Sequence, residues 1–323
     1  MWDSAGAYKN LKYIISDLFL YMVEWGYMVE ELLVKSLAGD PESIKAVRDI
    51  FSEKINGGPK ADQIEKYNKI FEFYSLNNKN SWSQYMLGMM YRFGSLTVKV
   101  ADEAIGWLRL SVQQRNCFAM CALADMYRLG ESMKRDEVGA FELYMCAAEF
   151  GNSEGQFRAG RALLSGRGTE VDEKKGVKYL MLAALQNHFE GAAELGLCYM
   201  NGVGVLVNEK EGEKWLRKSA EGGCDVGQFH LGDMYFFGKD GMGVRYDKAL
   251  KWFKVAGESN NPDALCRLGI MYYQGLGVKK NMNVAFNWFE RAVVHGNIAA
   301  VSYYEQMQKY VDEAKKRKKC VVM

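Results

Sequence analysis

The chain has 323 residues, of which 49% are hydrophobic and 25% are charged, and its formal net charge is +2. This balance is typical of a packed soluble protein, and the presence of only three prolines favours a nearly all-helical chain. Residues 315–319 supply five positive charges, so the rest carries −3, and its sequence shows no broad basic stripe for nucleic acid.

The N-terminal region, residues 1–42, predicts a helical cap. Residues 8–38 have the pattern of two amphipathic helices with a break near Gly26. Asp17 and Glu24 interrupt the apolar runs, which are far shorter than the ~20 apolar residues of a membrane span. The sequence therefore predicts neither a signal peptide nor a transmembrane helix here.

Residues 43–80 predict a degenerate copy of a repeat that is clearer further along the chain. Gly58 precedes Gly94 by 36 residues, and Phe71 precedes Trp107 by the same interval. The Leu-Gly pair that marks the later copies is missing. A divergent first unit suits the end of a repeat array, where one face meets water.

Residues 189–223 show the repeated unit most clearly, as two short helices joined by a glycine loop. Gly196 predicts a close approach of the second helix, and Gly202 predicts a loop residue with positive φ. Asn208 is a predicted N-cap of the second helix. Trp215 is predicted to lie on the inner face of that helix, beside two small residues.

Five sequence columns recur in six copies across residues 81–297, with steps of 36 or 37 residues. A fixed period of this length is the signature of a repeat architecture. The first column, predicted to provide close helix packing, holds Gly88, Ala124, Gly160, Gly196, Gly232 and Gly269. The tryptophan column holds Trp107, Leu143, Tyr179, Trp215, Trp252 and Trp288.

The pattern small-x-x-x-Leu-Gly-x-x-Tyr-x-x-Gly-x-Gly, followed by Trp and Ala-Ala, resembles the Sel1-like repeat family. That family is related to the tetratricopeptide repeats. The resemblance implies an all-α fold, a right-handed α-solenoid superhelix of antiparallel helix pairs. It also implies a scaffold that binds protein partners, although such repeats serve many unrelated ones.

The resemblance further implies that the first helix of each pair lines a concave groove for a protein or peptide. Side chains carried over to this groove vary between copies, as expected for a surface adapted to a ligand. Three are arginines, which could bind an acidic peptide through paired N–H donors. The predicted groove residues are Trp82, Tyr85, Arg92, Phe118, Arg128, Phe157, Arg161, Phe229, Phe236 and Tyr273.

Residues 298–314 predict a C-terminal capping helix, because Glu305 stands where the packing glycine would be. Residues 315–323 differ from everything before them. The basic run consists of Lys315, Lys316, Arg317, Lys318 and Lys319. It predicts electrostatic binding to an anionic membrane, and the alternative is a nuclear import signal.

Cys320 begins the sequence Cys-Val-Val-Met, which has the Cys-aliphatic-aliphatic-X form of a prenylation motif. A terminal methionine favours a farnesyl chain. One lipid chain anchors only marginally, so the adjoining basic run would supply the second signal. The prediction is a peripheral protein on the cytoplasmic face of a membrane, with a nuclear location as the alternative.

No catalytic residue, cofactor site or metal site is predicted. The chain lacks Ser-x-x-Lys and the phosphate-binding Gly-x-x-x-x-Gly-Lys-Ser/Thr motif, and its three histidines lie far apart in sequence. The cysteines follow no regular period, in contrast to secreted relatives with one disulfide per repeat. Reduced thiols in a cytosolic protein are the favoured interpretation.

The sequence therefore predicts a non-enzymatic adaptor, a monomer that is tethered to a membrane and does not bind nucleic acid. A hydrolase of the cysteine-rich Sel1-like type is the alternative from another functional class. The absent serine motif and the irregular cysteines disfavour that alternative.

Overall fold

The computed structural model describes residues 70–93, 100–238 and 243–321, with side chains as far as residue 309, and in these ranges every regular element is a helix. The predicted cap, residues 1–42, and residues 43–69 of the degenerate repeat lie outside the described residues. A helical segment over residues 70–76 precedes the complete helices. These are α1 (Ser81–Phe93), α2 (Ala101–Gln113), α3 (Cys117–Leu129), α4 (Glu137–Glu149), α5 (Ser153–Ser165), α6 (Glu173–Leu185), α7 (Phe189–Asn201), α8 (Glu209–Glu221), α9 (Asp225–Phe237), α10 (Tyr246–Glu258), α11 (Pro262–Gln274), α12 (Met282–Val294) and α13 (Ile298–Val321).

Each of the helices α1 to α12 contains 13 residues, so the helices of successive copies have the same length. We call the first helix of each pair the A helix (α1, α3, α5, α7, α9 and α11) and the second the B helix. The predicted fold, an α-solenoid of helix pairs, is confirmed. Its right-handed superhelical path stays a prediction. The chain divides into two compact units, one ending at Leu143 and the other beginning at Tyr144.

The loop between α7 and α8 has the local geometry that the sequence predicts. Gly202 and Gly204 have φ values of 71° and 65°, a left-handed conformation that glycine adopts without a steric penalty. The side chain of Asn208 accepts a hydrogen bond from the backbone N–H of Glu211 at 3.1 Å. The predicted N-cap of α8 is therefore confirmed.

In the five copies whose packing column holds glycine, the A helix meets the B helix of its own pair at close range. A Cβ atom placed on Gly196 would lie 2.8 Å from Leu216, and one placed on Gly232 would lie 2.6 Å from Phe253. The residue that faces the glycine is therefore the one after the tryptophan column. Leu216 and Phe253 are almost completely buried, whereas Trp252 is only half-buried.

Small residues near the end of the B helices also hold the start of the A helix in the same pair. The hydroxyl of Ser111 donates to the carbonyl of Ser81 at 2.6 Å, and Ser219 donates to Phe189 at 2.7 Å. Both serines are fully buried, so these hydrogen bonds satisfy polar groups that would otherwise be costly to bury. Ser219 contributes a hydrogen bond in addition to the small size that its column requires.

Candidate partner-binding face on the A helices

In the first unit the structure brings three of the predicted groove residues together. The ring centroid of Phe118 on α3 lies 5.1 Å from that of Trp82 and 6.2 Å from that of Tyr85, both on α1. Tyr85 is buried, Trp82 is half-buried and Phe118 is 37% exposed. The result is an aromatic cluster whose outer surface consists of Trp82 and Phe118.

Two further apolar side chains lie at the C-terminal ends of the same helices; Phe93 was also predicted for the groove by analogy, whereas Leu129 was not. Phe93 ends α1 and is 61% exposed, and Leu129 ends α3 and is 55% exposed. Their columns hold serine or asparagine in some of the later copies, Ser165 and Asn201, so the column shows no steady apolar pattern. We call Trp82, Phe118, Phe93 and Leu129 the aromatic face.

The predicted arginines of the first unit already have carboxylate partners. Arg92 is buried, and its Nε and Nη2 donate to the two carboxylate oxygens of Glu131 at 3.1 and 2.9 Å. Arg128 lies 3.4 Å from Asp125, one turn away on α3. A ligand carboxylate would have to displace these acids, so the aromatic face is the more accessible surface for a partner.

In the second unit, Phe157 on α5 lies beneath a charged surface. Its side chain is buried, and the guanidinium groups of Arg158 and Arg161 lie 5.5 and 5.4 Å from the ring centroid. Arg161 also donates through Nε to Glu194 on α7 at 2.8 Å. The Phe157 ring therefore packs under these two arginines and exposes little of its own surface to a partner.

His188 and Glu154 form a second polar contact between consecutive A helices. The Nε2 of His188 lies 3.0 Å from a carboxylate oxygen of Glu154, and its Nδ1 accepts the backbone N–H of Gly191 at 3.1 Å. The second contact fixes the tautomer of the neutral ring, because Nδ1 must be unprotonated to accept a hydrogen bond. His188 thus caps α7 and holds α5 beside it.

Glu154 and Glu194, the carboxyl groups that face Arg158 and Arg161, differ in pKa. Burial acts to raise the pKa of Glu154, but hydrogen bonds from His188 and Arg158 outweigh it and lower the pKa to about 2. For Glu194 burial prevails over the attraction of Arg161 and Arg158, so its pKa is raised. Glu154 is therefore ionised down to low pH, whereas Glu194 loses its proton less easily than an ordinary glutamate.

The remaining predicted residues lie on α9 and α11. Phe236 is buried, Phe229 and Tyr273 are half-buried, and the sequence analysis missed Phe237, which is 51% exposed. The guanidinium of Arg267 lies 4.9 Å from the ring centroid of Phe237, and its Nε donates to Asp233 at 2.9 Å. Here too, an arginine on an A helix pairs with an acid on the neighbouring A helix.

Large and small residues alternate along one column of the A helices, a pattern with twice the period of the repeat. The aromatic members are Tyr85, Phe157 and Phe229, and the members between them are Cys121, Ala193 and Cys266. A buried glutamine precedes each aromatic residue. Gln114 donates to Gln84 at 2.9 Å in the first unit, and Gln186 donates to Gln156 at 2.8 Å in the second. Consecutive copies are therefore not equivalent.

Three of the described cysteines have a raised thiol pKa. Burial raises the pKa of Cys198 and of Cys266 to about 11, and burial also raises that of Cys117. These three groups are therefore thiols rather than thiolates at neutral pH. Within the ranges the structure covers, no three His, Cys, Asp or Glu side chains converge on a metal site, and no helix is long and apolar enough to cross a membrane.

The predicted capping helix and the predicted tail share one helical backbone. Helix α13 contains 24 residues and continues through the basic run to Val321. Met307 is its last buried residue among those whose side chains are described. At 1.5 Å per residue, Cys320 stands about 20 Å further along the helix axis. Val322 and Met323 lie outside the described residues.

Comparison with known proteins identifies the repeat. A Sel1 repeat protein from Oxalobacter formigenes is 27% identical, with a TM-score of 0.64 over 67% of this chain and 86% of that one. The uropathogenic Escherichia coli protective antigen c5321, which displays an SLR fold, is 26% identical with a TM-score of 0.63. The match covers 86% of this chain and 59% of c5321.

The Sel1 repeat family model matches six consecutive copies. The matched ranges are 83–116, 117–152, 153–188, 190–224, 226–261 and 262–296. They cover more than half of the sequence and follow the helix pairs described above. The chain therefore belongs to the Sel1 repeat family.

Proposed function

We propose that this protein is a non-enzymatic scaffold that binds a peptide or protein partner on its A helices. Membership of the Sel1 repeat family indicates a protein–protein interaction scaffold. The observation that supports a particular surface is the aromatic face of the first unit. Phe93, Phe118 and Leu129 are exposed and Trp82 is half-buried, and exposed apolar groups of this kind are typical of interaction surfaces.

The aromatic face favours a partner with apolar anchor residues over an acidic peptide. Aromatic side chains contribute strongly to binding because they bury a large area with few rotatable bonds. The arginines nearby are already paired with Glu131 and Asp125, so they fix the orientation of the surface and do not attract an acidic ligand. The proposed binding surface therefore keeps the apolar residues of the predicted groove and leaves out its arginines.

The test compares co-purified proteins from cells that express the full chain or variants of it. Trp82→Ala with Phe118→Ala should abolish recovery of the main partner, since the two rings form the outer part of the cluster. The matched control is Leu110→Ala, an apolar residue of α2 that is 42% exposed but lies on a B helix. Unchanged recovery with the double variant would show that the partner binds elsewhere.

We also propose that the tail tethers the scaffold to the cytoplasmic face of a membrane. Cys320 has the residue pattern for prenylation, and the five basic residues before it add roughly 1 kcal/mol each near anionic lipid. Together they meet the requirement of a second signal beside a single lipid chain. The helical path of α13 supports the proposal, because it carries Cys320 away from the last buried residue.

Intact mass spectrometry of the protein from eukaryotic cells tests the tether. The expected product carries a prenyl group on Cys320, and Cys320→Ser should release a fluorescent fusion to the cytosol. Neutralising Lys315 to Lys319 should instead weaken retention at the plasma membrane. An unmodified Cys320 thiol followed by an intact Met323 would end this part of the proposal and favour the nuclear import signal.

A further inference from the structure

The B helices of the second unit carry basic residues in register on their outward surface. Lys178, Lys214 and Lys251 occupy the same position of α6, α8 and α10, and all three are exposed. Positions one turn before and after them are also largely basic. We call the following residues the basic ridge: Lys174, Lys178, Lys210, Lys214, Arg217, Lys218, Lys251 and Lys254.

Acidic residues are in the minority on the same columns. Glu221, Asp247 and Glu258 are the carboxylates on the columns of the ridge, and the three helices together carry seven carboxylates against ten basic groups. Further carboxylates, such as Glu154, Glu194 and Asp233, lie on the A helices.

Hydrogen bonds between B helices show that consecutive members of the ridge lie side by side. The Nζ of Lys218 on α8 donates to the carbonyl of Ala184 on α6 at 2.7 Å. Arg291 on α12 makes the equivalent contact with Gly257 on α10 at 3.1 Å. Lysines at the same position of α6, α8 and α10 therefore follow one another along the B helices.

Most of the ridge lysines have no carboxylate partner in the described part of the chain. Lys214 pairs with Glu211 at 3.3 Å and Arg217 pairs with Glu213, both within α8. Such exposed pairs contribute little and are easily exchanged for an external anion. An open depression of about 590 Å³ lies between Phe189 and α8, and its lining contains four basic side chains and the carboxylates of Glu213 and Glu221.

We propose that the basic ridge binds an anionic phospholipid surface. A row of like charges with few internal partners is complementary to an extended anionic surface, and lysine side chains can lie along an apolar surface while their ammonium groups reach phosphates. Leu182 and Leu185, 37% and 61% exposed on α6, add apolar contacts beside the lysines. The choice of a lipid surface over another polyanion rests on the proposed membrane tether.

Nucleic acid is the other extended polyanion, and the ridge suits it less well. Single-stranded nucleic acid is bound through exposed aromatic rings that stack on bases, and the ridge columns contain none. Arg217 is the only arginine among the eight basic residues, although arginine is the preferred side chain for bidentate phosphate contacts.

If the basic ridge binds the lipid surface, the A helices of the second unit would face the cytosol.

The test measures co-sedimentation of the full, unlipidated chain, carrying Cys320→Ser, with phosphatidylcholine vesicles that contain phosphatidylserine. Lys178→Glu, Lys214→Glu and Lys251→Glu together should weaken binding at least about tenfold, because each lysine near anionic lipid is worth about a factor of five. The corresponding triple change to glutamine should give a smaller loss in the same direction. The matched control reverses three exposed lysines outside the B helices, Lys79, Lys134 and Lys279.

Three results would overturn the proposal. Equal losses in the ridge variant and the control would show that only net charge matters. Complete loss of binding when Lys315 to Lys319 are neutralised, with the ridge intact, would assign vesicle binding to the tail alone and leave the tether standing. Binding of duplex DNA or RNA that depends on the ridge, without vesicle binding, would identify nucleic acid as the ligand. Because Cys320→Ser removes the prenyl site, failure of prenylation does not affect the outcome.

Discussion

In the second unit, the charged side chains of the A helices and those of the B helices are arranged differently. On the A helices, Arg161 pairs with Glu194 and Arg267 pairs with Asp233, each across to the neighbouring repeat. On the B helices, Lys178, Lys214 and Lys251 share one position and so place like charges side by side. The A-helix charges are thus paired between consecutive repeats, whereas the only carboxylate partner of these three lysines among the described residues is Glu211, within α8.

The largest expected effect concerns the inward side of a ridge helix. Phe253→Ala on α10 should lower the free energy of unfolding by about 3–5 kcal/mol, because the ring is fully buried against Gly232 and its removal leaves a cavity. The neighbouring Lys254→Ala, on the outward side, should change it by less than about 0.5 kcal/mol. Urea denaturation of both variants makes the comparison, and similar losses would mean that α10 has no distinct outward face.

Trp215→Ala tests the border between the core and the ridge. The side chain is 9% exposed and packs in the core around Leu195, while Lys214 and Lys218 lie 5.9 and 5.4 Å from its ring centroid. We expect a loss of about 3 kcal/mol, at the lower end for a buried aromatic residue. A loss below about 1 kcal/mol would place the tryptophan column on the surface.

A double-mutant cycle on Arg161 and Glu194 tests whether the A-helix pairs contribute to stability. The Arg161 side chain is 49% exposed, so solvent screens the interaction and we expect a coupling of about 0.2–1 kcal/mol. High salt should reduce the coupling further. The matched cycle on Lys214 and Glu211 of the ridge should give a smaller value, because both groups lie on one helix and are well exposed. A larger coupling in the ridge would reverse the contrast between the faces.

The smallest expected effect is a change in acid sensitivity. The pKa of Glu154 is about 2 in the folded protein and about 4.3 in an unfolded chain, so its ionised form stabilises the fold. That contribution is complete above pH ~4.3 and is lost as the pH falls through about 2. Glu154→Gln should therefore reduce the decline in urea midpoint between about pH 5 and about pH 2.5. An identical decline in the variant, with the exposed Glu149→Gln as control, would contradict this.

The sequence by itself determined the repeat and the local geometry. The 36-residue period, the glycine columns and the Asn208 cap depend on residues that are near one another in the chain or at fixed multiples of the period. Local steric rules act on such residues in the same way in every copy. The all-helical pairs, the positive φ of Gly202 and the buried inner face of α8 were therefore predictable.

Only the tertiary structure decided which side chains are available to a partner. Three residues that were predicted to line the groove are buried, namely Tyr85, Phe157 and Phe236. Neighbouring helices cover more of each A helix than the comparison with tetratricopeptide repeats suggests. The partners of Arg92, Arg161 and Arg267 lie 39, 33 and 34 residues away, offsets that the repeat period does not specify. Such contacts depend on the rotation and offset between stacked helices, which no single column of the sequence records.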